Sequence, residues 1–87
     1  MSAVSEAQEK IALASSFADE AERLAFKVFN AMEEVLRWLD SAAGDTGHEK
    51  IVAATHAHWE AVAKLAEARA LVAAGQLAAD DYAVGLG

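Results

Sequence analysis

The 87-residue chain contains no cysteine and no proline, only five glycines and only 7% aromatic residues. Without cysteine there is no disulfide framework, thiolate zinc site or thiol nucleophile. Without proline there is no proline-rich ligand and no residue that would break a helix from within. Basic charge is also scarce, with seven Lys and Arg against fourteen Asp and Glu and a net charge of −7. Direct nucleic-acid binding needs a basic face to release phosphate counterions, so that class is set aside. No uninterrupted apolar run of membrane-spanning length occurs, and the polar start MSAVSEAQEK does not resemble a signal peptide. The expectation is a cytoplasmic protein that spans no membrane.

What the chain has is alanine. It supplies 23 of the 48 hydrophobic residues and leaves 25 larger apolar positions. Alanine is the strongest helix former, so the composition predicts an all-α fold in a single domain covering residues 1–87. Ser5 and Gln8 have the spacing of a capping box, which opens a helix over about 5–42. Phe17, Ala21, Leu24, Val28, Met32, Val35 and Leu39 step by 4, 3, 4, 4, 3 and 4, one face of an α-helix. Leu13, Ala25, Phe29, Leu36 and Trp38 flank them and widen the apolar arc to roughly 180°. One partner helix cannot cover so wide an arc.

Gly44-Asp45-Thr46-Gly47 is the strongest break, with Gly44 suited to a left-handed helix end and Thr46 with Glu49 forming a capping box. The turn is placed at 43–46 and a second helix at about 47–74, antiparallel to the first. Its larger apolar face holds Ile51, Val52, Thr55, Trp59, Val62, Leu65, Ala66 and Val72, with Trp59 expected in the core. Gly75 then ends the helix, Leu77 tucks against its last turn, and Ala79-Asp80-Asp81-Tyr82 starts a short C-terminal helix at about 78–84. The expected fold is an antiparallel helical hairpin with that short helix added. A core this thin seldom stabilises a chain of this size alone. Two copies would form a homodimeric four-helix bundle with Phe17, Leu24, Val28, Met32, Val35 and Leu39 in the shared core.

Chemistry is poorly represented. His48, His56 and His58 lie close in sequence, but only His56 and Glu60 share a helical face, which is too few ligands for a metal. His58 falls near the apolar face. Glu33-Glu34 and Asp80-Asp81 point about 100° apart on a helix and form no acid–base dyad. No catalytic residue, cofactor site or metal site is assigned, and the chain is not expected to be an enzyme. Binding features are stronger. Phe26 interrupts the charged side of the first helix among Glu22, Arg23, Asn30 and Glu33. The C-terminal segment covers it through Leu77, Tyr82 or Val84, or it meets another protein, or it is simply exposed. With Phe29 and Trp38 it is the expected set of partner-binding anchors.

The expected function is therefore a small acidic helical protein that binds a protein partner as regulator, inhibitor or assembly factor. A second possibility is an acidic decoy that fills a nucleic-acid-binding site on a partner. A third follows from shape. Trp38-Leu39-Asp40 near the turn, and Tyr82 near the end, resemble the tryptophan turn and tyrosine export signal of the WXG100 group of secreted helical hairpins. Gly44 stands later than that group's turn glycine, and Leu86 replaces the acid that follows its tyrosine. The resemblance implies a dimeric, signal-less secreted carrier or effector.

Overall fold

A computed structural model describes residues 3–85. Among them are two helices and no strand: α1, Ala3–Thr46, and α2, Glu49–Gly85. Gly47 and His48 alone separate them. Gly47 has φ of 62°, the left-handed region that a side chain disfavours, and its N–H donates to the Ala43 carbonyl at 2.9 Å. His48 opens α2: its Nδ1 accepts from the Lys50 N–H at 3.1 Å, as an N-cap side chain does.

The boundaries differ from the sequence expectation at each junction. Gly44 lies inside α1 and Thr46 is the last residue of α1, so neither makes the cap assigned to it. The turn falls at Gly47–His48 because the left-handed residue is the second glycine. Ser5 sits inside α1, and Gln8, instead of completing a capping box, donates from Nε2 to the Ala83 carbonyl at 3.2 Å. No separate C-terminal helix forms, and Leu77 does not fold back. The chain runs through Gly75 to Gly85 as one helix, since a lone glycine costs only about 1 kcal/mol in a helix and alanines surround it.

The helices run antiparallel, held in register by Gln8 against Ala83 near the open end and Glu22 against Arg69 midway. The inward residues follow a seven-residue repeat. On α1 they include Ile11, Ala18, Ala25, Phe29, Met32, Leu36, Leu39 and Ala43; on α2, Ile51, Thr55, His58, Val62, Leu65, Arg69 and Gln76. Steps of three and four in alternation mark the a and d positions of a coiled coil, the pattern that keeps a seam facing a partner along a long helix. Only Leu36 and Thr55 are buried among the described residues, and they lie at the same height. The Thr55 hydroxyl donates to the Ile51 carbonyl at 2.9 Å, so burying it leaves no unpaired polar group.

The hairpin is long and thin, 65 × 16 × 14 Å with a radius of gyration of 19.4 Å. A compact domain of this length would have a radius of about 12 Å. The accessible surface, 6317 Å², exceeds the roughly 4,900 Å² of a compact 9.1 kDa protein.

The two glycines near the turn separate by their backbone. Gly47→Ala should lower stability by about 1 kcal/mol because it places a Cβ at positive φ. Gly44→Ala meets no atom within 4 Å and should raise stability by about 0.5 kcal/mol. Thermal melts of the two variants check both signs.

Candidate functional site

Letters a to g for the seven-residue repeat, with the seam at a and d, divide the hairpin into two sides. In an antiparallel pair the e positions of both helices share one side and the g positions share the other. The grooves confirm which residues fall together. One groove, about 550 Å³, is lined by Asp19 of α1 with Ala66, Ala73 and Leu77 of α2. The other, about 320 Å³ and nearer the turn, is lined by Glu33, Arg37 and Asp40 with Trp59. All of these are e or b positions, so both grooves open on the same side.

Most of the charge on that side comes from α1, as Asp19, Glu33 and Asp40 against Arg23 and Arg37, while α2 adds Asp80 among alanines, Val52 and Leu77. Two aromatic side chains rise from it, Phe26 (55% exposed) and Trp59 (53%). Neither Leu77 nor Tyr82 nor Val84 covers Phe26, because α2 continues straight and leaves all three exposed. Trp59 is therefore a surface residue, not the core residue expected from its helical face. The wheel at 3.6 residues per turn could not distinguish the seam from its flank; the 3.5-residue period does.

The opposite side is nearly free of charge. Between residues 14 and 42 its c and g positions on α1 are Ala14, Phe17, Ala21, Leu24, Val28, Ala31, Val35, Trp38 and Ala42. Between residues 54 and 82 on α2 they are Ala54, Ala57, Ala61, Lys64, Ala68, Leu71, Gly75, Ala78 and Tyr82, with Lys64 the single charge of these stretches; Lys10, Asp45 and Lys50 lie on the same side nearer the helix ends. All but Ala42 and Ala54 are exposed, Phe17 at 73% and Trp38 at 67%. An apolar strip of this length on an isolated chain marks a contact surface.

The six residues expected to share a core are thus divided by the structure. Met32 and Leu39 are half-buried in the seam against α2, whereas Phe17, Leu24, Val28 and Val35 lie on the exposed apolar side. The three expected anchors also part. Phe26 is on the charged side, Trp38 on the apolar side, and Phe29 is half-buried in the seam. The guanidinium of Arg69 lies 5.6 Å from the centroid of the Phe29 ring, a cation–π contact. His58 is half-buried in the seam, and His56 is exposed. No group of three His, Cys, Asp or Glu among the described residues could hold a metal ion. No helix among them is long and apolar enough to cross a membrane.

Glu22 and Arg69 escaped sequence reasoning because they stand 47 residues apart at polar-looking positions. Both occupy a positions of the repeat, and that register was the available signal. Arg69 donates to the Glu22 carboxylate from Nε at 3.3 Å and from its terminal nitrogen. The hydrogen bond from Arg69 holds the Glu22 carboxyl below its ordinary range, partly opposed by desolvation. A carboxyl lowered in the folded state binds its proton less readily than in the unfolded chain. Its stabilisation is present above the usual carboxylate pKa and is lost as pH falls through the folded value. Glu22→Gln should therefore destabilise the hairpin near neutral pH, with little difference from wild type near pH 2. Thermal melts across that range test the sign, and the difference should shrink in high salt because the pair is solvent-exposed.

Comparison with protein-family models, with curated proteins and with solved structures finds no match to the chain.

Proposed function

We propose that this chain is a non-enzymatic interaction protein that binds a protein partner as a regulator, inhibitor or assembly factor. One observation carries the reading: Phe26 and Trp59 stand exposed on a charged side, above two open grooves. They are offset by about one heptad, roughly 10 Å along the axis. Large aromatic groups held on rigid helices lose little entropy when they dock, and such groups dominate the energy of protein interfaces. Arg69 lines one groove and Phe29 the other, and the cation–π contact joins them in the seam. Acids outnumber bases on this side, Asp19, Glu33, Asp40 and Asp80 against Arg23 and Arg37, which favours a partner that surrounds an apolar pocket or ridge with basic groups.

Phe26→Ala should leave helicity and melting temperature unchanged and weaken partner affinity by more than about 1 kcal/mol, the usual threshold for an interface anchor. A fall in melting temperature would make Phe26 structural. Binding anchored by Phe26 and Trp59 should also persist into high salt. Steep loss with salt, and no effect of Phe26→Ala, would favour the acidic decoy instead.

A further inference from the structure

The uncharged side of the hairpin has a size pattern that the seam does not explain. Register fixed by Gln8–Ala83 and Glu22–Arg69 sets the c and g residues of the two helices at matching heights. Read in that register, large residues of α1 stand beside small ones of α2: Phe17 beside Gly75, Leu24 beside Ala68, Val35 beside Ala57, Trp38 beside Ala54. At Ala21 the sizes reverse, with Leu71 on α2, while Ala14 with Ala78 and Ala31 with Ala61 are small on both helices and Val28 stands beside Lys64. Within one hairpin these pairs lie side by side and gain nothing from the match. The pattern becomes useful if a second hairpin is laid face to face with its α2 over the first copy's α1.

We propose that the occupant of this side is a second copy of the chain, related by a two-fold axis along the hairpin's length, with both turns at the same end. Rotation about that axis places α1 of each copy over α2 of the other at unchanged height. Phe17 then sits over Gly75 of the second copy and Leu24 over Ala68, with Ala21 under Leu71 of the second copy at the level between them. A two-fold axis across the hairpin would instead set α1 on α1 and lose this match. All neighbouring helices of the resulting bundle run antiparallel.

Area and charge agree with this occupant. The side from Ala14 to Ala42 is about 42 Å long and about 20 Å wide, two helix diameters, or roughly 800 Å² per copy. That is the size of a standard stable interface, roughly 800 Å² from each partner. It removes more than half of the surface that the single hairpin exposes beyond a compact protein of its mass. Every acid between residues 14 and 42, and between 54 and 82, lies off this side, so two copies of a chain with net charge −7 can meet without opposing carboxylates. Lys64, the one charge on this side within those stretches, reaches Glu60 at 4.0 Å, leaving its carbon stem to cover Val28 of the second copy. This side is opposite Phe26, so the dimer and the partner reading stand or fall separately.

Sedimentation of the wild-type chain at micromolar concentration should give twice the 9.1 kDa chain mass, and the melting temperature should rise with protein concentration. Leu24→Glu should abolish both, leaving a monomeric or unfolded chain. The arrangement is read with a nitroxide at Asp45→Cys, beside the turn, in the otherwise cysteine-free protein. Labels at the same end should lie roughly 20–30 Å apart, set by helix diameters. A spacing near the 65 Å length of the hairpin would overturn the same-end arrangement. A wild-type monomer whose melting does not depend on concentration would overturn the second copy as occupant.

Discussion

Everything in this molecule depends on the seam where two helices with a 3.5-residue apolar period meet antiparallel. A single seam between two helices is a narrow contact. It buries Leu36 and Thr55 and leaves Phe29, Met32, Leu39, Ile51, Val62 and Leu65 only half covered. Toward the open end the seam turns polar, through Ser15, Glu22, Arg69, Gln76 and Gln8. Ion pairs and amide hydrogen bonds there fix register more than they add stability, since exposed pairs contribute little. The seam therefore specifies how the helices lie and leaves much apolar surface in water.

That surplus is sorted by the same repeat. The e and b positions collect acids, two aromatic residues and the grooves, whereas the c and g positions collect alanine, larger aliphatic residues and almost no charge. The sorting gives one thin hairpin two sides of different chemistry. A side of mixed charge with a few rigid aromatics suits a partner of a different kind. An uncharged side with matched large and small residues suits self-association. The abundance of alanine acquires a role in this arrangement. Besides forming helix, it supplies the shallow levels into which larger side chains can fit.

The helical class, the hairpin and the width of the α1 arc were legible from alanine content, the absence of proline and the spacing from Phe17 to Leu39. Which part of that arc faces α2 was not. Phe17, Leu24, Val28 and Val35 are bulkier than Ala18 and Ala25, so size alone does not single out the stripe that meets α2. The deciding signal is the strict alternation of fours and threes through Ile11, Ser15, Ala18, Glu22, Ala25, Phe29, Met32, Leu36 and Leu39, which persists over a long helix where a 3.6 period would drift. Glycine misled twice for the same reason. Gly44 and Gly75 can adopt helical φ at small cost, and among the described residues only Gly47 takes the left-handed conformation that its residue type allows. Glu22–Arg69 was hidden because a charged pair in a seam looks like two surface residues until the register is known.

The two tryptophans stand on opposite sides of the hairpin, Trp38 on the uncharged side and Trp59 on the charged one. Acrylamide quenching of single-tryptophan variants, Trp59→Phe and Trp38→Phe, measures the solvent access of each side in the protein as it exists in solution. If the uncharged side is covered by a second copy, Trp38 emits at shorter wavelength and resists quenching, while Trp59 stays open to it. Equal and ready quenching of both would show a bare hairpin and contradict the account.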